Sequence, residues 1–327
     1  MSVQLLFQIL VVGLATGAIY ALIALGYTMV YGIIELINFA HGDIFMIGTL
    51  VSIAILGLLG ISRDSHPTGL TLVSVMLIAC LGSILVCAVL GVVIERVAYR
   101  PLRNSPRLAP LISAIGVSLI LEDLGKLWKG VSYISFPQIF PQITLNVGLV
   151  TISGVNILVI GVSFSLMIAL QLMVSRTSTG RAMRAVAQDR EAAALMGVNV
   201  DRIIAITFFI GAGLAGAAGF IYGLQYGSTI FYIGFQIGLI AFTAAVFGGI
   251  GNLVGAMLGG VLIGLIEALA SFIPDAYASD APTLFGLPLG LPHGGAAWHE
   301  AIIFAILILI LVFRPSGLLG QQAPEKV

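Results

Sequence analysis

Residues 5–30 read LLFQILVVGLATGAIYALIALGYTMV, twenty-six positions holding one glutamine and no charge. As a helix this stretch extends about 39 Å at 1.5 Å per residue, more than the roughly 30 Å of bilayer hydrocarbon. It is therefore read as a membrane span. No Lys or Arg precedes Arg63, so the basic n-region of a cleavable signal peptide is missing and residues 5–30 are expected to be retained. The whole chain fits that reading. Of 327 residues 59% are hydrophobic and 9% charged, against roughly 25% charged in an average soluble domain. The 40 glycines suit transmembrane helices that pack closely through small side chains.

Further apolar runs lie at about 44–60, 70–94, 108–124, 154–175, 203–223, 235–250, 253–272 and 299–313. Together with 5–30 they predict an all-α polytopic membrane protein of eight to nine transmembrane helices. Residues 1–327 form one transmembrane domain. Segments 44–60, 235–250 and 299–313 are short, and glycine or polar groups interrupt the chain beside the first two, as expected of tilted, broken or re-entrant helices.

Net formal charge is zero, which points to no nucleic acid, but the charge is unevenly placed. Nine of the fourteen Lys and Arg sit in two loops: Arg96, Arg100, Arg103 and Arg107, then Arg176, Arg181, Arg184, Arg190 and Arg202. Basic loops stay cytoplasmic. The stretch 125–153 and the loop 273–298, which carries Asp275 and Asp280 without Lys or Arg, are then external, and the tail from Arg314 is internal. This places the N-terminus outside and the C-terminus inside.

Small residues recur at every fourth position in Gly251, Gly255 and Gly259, in Gly211, Ala215 and Gly219, and in Gly13 and Gly17, a spacing that lets helix backbones touch. Cys80 and Cys87 stand seven helical residues apart, about 10 Å, too far for a disulfide.

Two places depart from plain scaffold. In residues 31–48, Glu35, Asn38, His41 and Asp43 fall within nine positions of otherwise apolar chain, and polar groups there must face protein, water or the aqueous boundary. One reading is a discontinuous helix lining a translocation path; the other is a short interfacial loop between spans. His41 and Asp43 alone do not make a metal site, since no further His or Cys lies at ligand spacing. The second place is residues 176–202. Ser178 or Thr179 is placed to cap one helix, Asp189 to cap a second running Arg190 to Met196, and Gly197 to close it. Ala192, Ala193 and Ala194 keep that second helix thin, a shape suited to a groove on another protein; a basic segment drawn to anionic membrane lipid is the alternative.

At these places the chain resembles the membrane permease subunits of ATP-binding-cassette importers for branched-chain and other neutral amino acids. The resemblance rests on Ile37-Asn-Phe-Ala-His-Gly-Asp43, Tyr99-Arg-Pro-Leu-Arg103, Leu111-Ile-Ser-Ala-Ile-Gly116 and Phe247-Gly-Gly-Ile-Gly-Asn-Leu-Val-Gly-Ala-Met-Leu-Gly-Gly260, and it covers nearly the whole chain. Glu191-Ala192-Ala193 followed by Gly197 matches the core of the importer signature; its distal Ile-x-Leu-Pro is absent, with Thr207-Phe208-Phe209-Ile210 in its place.

The resemblance implies a second homologous permease, two cytoplasmic ATPases and an external solute-binding protein as partners. It implies ATP and magnesium on the ATPases and no cofactor in this chain, which lacks a Gly-x4-Gly-Lys-Ser/Thr loop. It also makes Glu191, Ala192, Ala193 and Gly197 the coupling helix, with Arg190 and Arg181 or Arg184 reaching acidic groups of the ATPase. Asn38 and His41, with Gln225 and Gln236, are the residues expected along the path. For Gln225, Gln236 and Glu267 an ordinary interhelical hydrogen bond is the competing expectation, and Tyr133 and Phe136 are expected as exposed aromatics of the external loop. A urea or short-chain amide permease has the same general look. A stand-alone channel or secondary transporter would need more buried acids than Glu35, Asp43 and Glu267, and an intramembrane enzyme would need a converging set that Ser and four scattered His do not form.

Overall fold

The computed structural model describes residues 3–320 apart from 63–64, 66, 104, 107, 142, 148–149, 275–282, 285–286 and 289–290. Arg63, His66, Arg107, Asp275 and Asp280 lie outside the described residues. The apolar runs fold as α1 (Val3–Ile34), α2 (His41–Leu58), α3 (Gly69–Ile94), α4 (Leu108–Lys129), α5 (Gly154–Arg176), α8 (Val200–Tyr226), α9 (Ile233–Gly248), α10 (Leu253–Ser271) and α11 (His299–Phe313). Between α5 and α8 stand two short helices, α6 (Ser178–Gln188) and α7 (Arg190–Leu195). Among the described residues eight helices are long and apolar enough to cross a membrane, and α9 is an apolar helix of 16 residues. The protein is therefore an all-α polytopic membrane protein, and the expected nine segments are all helical.

Burial sorts these helices. In the apolar windows of α1 and α8, 78% of residues are buried, against 22% in α5 and 6% in α11. α1, α2 and α8 form the packed centre, while α5 and α11 offer most of their surface outward, as helices facing lipid do. Small residues make the central packing possible. A Cβ on Gly17 would stand 2.8 Å from the Val261 Cα, and one on Gly219 2.7 Å from the Thr49 amide nitrogen. The hydroxyl of Ser83 donates to the carbonyls of Gly48 and Gly216 at 2.9 Å each, tying α3 to α2 and α8 with one side chain.

The expected seam at 251, 255 and 259 is corrected at its first member. Gly255 and Gly259 press on the α9 backbone at Gly248 and Ala244, whereas Gly251 has nothing within 4 Å of a Cβ and a φ of +90°. It is a turn glycine in the connection Gly249–Asn252. Cys80 and Cys87 are free.

Both arginine-rich connections lie at one end of the bundle. Arg100 and Arg103 each meet the Asp201 carboxylate at 2.5 Å, and Arg103 also pairs with Glu95. The α9–α10 turn and residues 314–320 are at the same end, the Leu318 amide donating to the Phe247 carbonyl at 2.9 Å. At the opposite end residues 125–129 complete α4, and the chain then forms β1 (Ile134–Ser135), β2 (Thr144–Val147) and β3 (Val150–Ser153). β1 pairs antiparallel with β4 (Ser228–Thr229), and β2 with β3. Tyr133 is exposed as expected, but Phe136 is not: its side chain is fully buried against Gly223 and Phe220. The aromatic anchors this loop to α8.

Candidate coupling surface and translocation segment

The connection 35–40 turns back into the bundle. Glu35, at φ +56°, closes α1 in the left-handed region, and α2 begins at His41. His41 packs against Gly26 of α1 and stands edge-on to the Tyr27 ring at 4.8 Å. Gly26 lies eight residues inside the end of α1, about 12 Å at helical rise. Ser118, which donates to the Asp43 carboxylate at 2.5 Å, lies ten residues inside α4, about 15 Å. Between the two readings of residues 31–48, the geometry is that of a re-entrant connection whose helix starts in the interior. Gly42 permits it: a Cβ there would meet the Gly238 Cα at 2.7 Å and the Gly234 backbone closer still.

Asn38 is buried, and its Oδ1 accepts from the Tyr99 hydroxyl at 2.9 Å, while its Nδ2 has no partner. His41 and Asp43 are buried as well. The structure thus gathers Asn38, His41, Asp43, Tyr27, Tyr99 and Ser118 where α1, α2, α3, α4 and α9 approach. Gln225 and Gln236 are not part of this group. Gln225 donates to the Asn156 carboxamide at 2.8 Å, tying α8 to α5, and Gln236 is exposed on the outer face of α9. Glu267 lies beside Tyr20, so that its carboxylate faces α1 from α10. Sequence reading assigned no role to Tyr99 or Ser118. Tyr99 opens the motif 99–103, the one local sign of its use; Ser118 has none.

The second place is the α6–α7 element. Its caps follow local rules with one shift. The residue capping α6 is Thr177, whose Oγ1 accepts from the Gly180 amide at 3.1 Å, one position before Ser178. Asp189 caps α7, its Oδ1 accepting from Glu191 and Ala192 at 2.9 and 3.0 Å. Gly197 closes it at φ +84°, with its amide donating to the Ala194 carbonyl at 3.0 Å. Met183, Val186 and Ala193 are buried against the bundle, while Glu191, Ala192, Ala194, Leu195 and Met196 are exposed. Leu195 is 89% and Met196 85% exposed. Two large apolar side chains on the tip of a slim helix outside the apolar band constitute an uncovered contact surface.

The arginines divide differently from expectation. Arg190 is half-buried and donates through Nη2 to the Ile33 carbonyl at 2.8 Å, satisfying an open carbonyl at the end of α1. Arg184 donates to the Val174 carbonyl at the end of α5. Arg181 is exposed, and its guanidinium makes no hydrogen bond or ion pair among the described residues. A cavity of about 520 Å³ lies between α7 and the re-entrant connection, bordered by Ile33, Tyr99, Val186, Asp189, Arg190 and Phe208. Arg190 thus ties the start of α7 to the end of α1, five residues before Asn38.

Comparison with known proteins bears on what such an arrangement is for. Residues 9–311 match the family described as branched-chain amino acid transport system / permease component. Over 329 residues the chain is 44% identical to the high-affinity branched-chain amino acid transport system permease protein BraD of Pseudomonas aeruginosa, covering 98% of this chain and 97% of that one. It is 43% identical over 339 residues to the permease protein LivH of Escherichia coli K12, across the whole of both chains. The Salmonella typhimurium LivH is likewise 43% identical, over 341 residues and the full length of both. No solved structure matches. With a family match over residues 9–311 and 43–44% identity to full-length relatives, this all-α membrane bundle belongs to the branched-chain amino acid transport permease family.

Proposed function

We propose that the chain moves branched-chain amino acids into the cytoplasm as one permease of an ABC importer, paired with a second homologous permease, two cytoplasmic ATPases that bind ATP and magnesium, and an external solute-binding protein. The substrate class rests on the relatives, which are permease proteins of high-affinity branched-chain amino acid transport systems. The partners and the cell-membrane location, with the C-terminus and both arginine-rich connections in the cytoplasm, rest on the family and on the clustering of basic residues at one end.

One observation carries the mechanism: α7 presents Leu195 and Met196 outward while Arg190 on the same short helix holds the Ile33 carbonyl. Closure of the ATPases displaces α7; the hydrogen bond to Ile33 delivers that displacement to the end of α1 and to the connection carrying Asn38 and His41. A charge-assisted bond of this kind contributes about 1.5–3 kcal/mol, enough to bias two arrangements of the connection by about ten- to a hundredfold. Hydrogen-bonding side chains at Asn38 and His41 suit a zwitterion, which needs hydrogen bonds more than a strong counter-charge. The test is uptake of labelled leucine by proteoliposomes holding both permeases, both ATPases and the binding protein. ATP-dependent uptake, competed by isoleucine and valine and not by urea, is expected. Uptake that proceeds without ATP, or that urea competes, overturns the reading.

A further inference from the structure

At the basic end, between α3 and α8, a second cavity of about 390 Å³ is lined by Arg96, Arg100 and Arg202 with Val92, Ile206 and Phe209. Its charges are not all spent. Asp201 is held by Arg100 and Arg103, and Glu95 by Arg103. The guanidinium groups of Arg96 and Arg202 are exposed and make no hydrogen bond or ion pair among the described residues. Two guanidinium groups thus share one recess with no acid left to answer them, and asparagine Asn199 at its edge already spends its side-chain oxygen on the Arg202 amide.

The flanks say where the ligand comes from. On α3 the exposed positions Val89 and Val93 lead by helical steps to Arg96 and Arg100. On the neighbouring α8, exposed Phe209 and half-buried Ile206 lead in the same way to Arg202. Each helix therefore presents an apolar stripe that ends in arginine at the same end of the bundle, and the two helices pack directly, a Cβ on Gly91 standing 2.8 Å from the Phe208 carbonyl. An acyl chain lying along the valines and Phe209 puts its phosphate at the arginines. Basic recesses between transmembrane helices recognise anionic headgroups in this way, and guanidinium binds phosphate through paired donors.

We propose that this recess binds the phosphate of an anionic membrane phospholipid, with Arg96 and Arg202 as the recognising groups. The site is distinct from the α7 surface and does not depend on the substrate carried. Free phosphate offers the same oxygens without the acyl chains, so the apolar stripes assign the lipid as the ligand.

The experiment is native mass spectrometry of the full-length chain after exchange into mixed micelles of phosphatidylglycerol and phosphatidylcholine, with and without excess inorganic phosphate. The expected result is preferential retention of phosphatidylglycerol, unaffected by inorganic phosphate. The Arg96→Gln/Arg202→Gln variant should weaken it about thirtyfold, a factor of about five for each charge at the membrane surface. Arg96→Lys/Arg202→Lys should keep most of it. Arg176→Gln/Arg314→Gln removes the same charge from the same end and should leave retention unchanged. Equal retention in the Gln pair, equal loss in the control pair, or displacement by inorganic phosphate overturns the proposal. A Gln pair that loses its monodisperse elution is replaced by the single Arg202→Gln, for which about a fivefold loss is expected and no loss contradicts it.

Discussion

Arg190 is the residue on which the proposed mechanism turns, because its guanidinium reaches a carbonyl 157 positions away in sequence. Arg190→Ala should leave insertion and ATPase binding intact while uptake falls at least tenfold at unchanged basal ATP hydrolysis, a loss matching a charge-assisted hydrogen bond; parallel uptake and hydrolysis assays read it. Tyr99→Phe acts one step further in. It strips the partner from the buried Asn38 oxygen, so a cost of about 1–3 kcal/mol is expected, read as a lower thermal midpoint in detergent. Neither contact is visible in sequence. The charge of Arg190 and the motif beginning at Tyr99 mark both residues as unusual, but their partners lie on α1 and the re-entrant connection, and only the folded chain brings them within reach.

At the scale of elements, local rules read well and tertiary ones did not. Asp189 and Gly197 delimit α7 because capping and the left-handed stop are set by immediate neighbours. All nine apolar helices were legible from length and hydropathy for the same reason. The depth of α2 was not, since the residues 31–48 fit an interfacial loop equally well until Gly26 and Ser118 fix their level. Phe136 was misread because nothing near it in sequence shows Gly223 making room. Glycines on one helix separate these cases. Gly42→Ala drives a Cβ into the α9 backbone and should cost about 1–3 kcal/mol as overpacking does. Gly57→Ala, with nothing within 4 Å, should be neutral or stabilise by up to about 1 kcal/mol through helix propensity. Thermal melts of the two variants in one detergent distinguish them; equal destabilisation contradicts the close approach of α2 and α9.

At the scale of the whole molecule, the bundle has a packed centre of α1, α2 and α8, an outward-facing rim, and one basic end carrying an uncovered apolar tip. That asymmetry suits a subunit driven from one side: in the proposed mechanism the tip receives a push, Arg190 passes it to the end of α1, and the buried connection responds. The central claim is that the tip of α7 is seated on a partner ATPase. Photocrosslinking tests it most directly, with a benzophenone amino acid placed at Met196 in the assembled complex and, as the control, at Leu127, which is 82% exposed near the opposite end of α4. A crosslink from position 196 to the ATPase, with none from 127, is the predicted result. A complex in which position 196 captures no ATPase, or in which 127 captures it instead, contradicts the account.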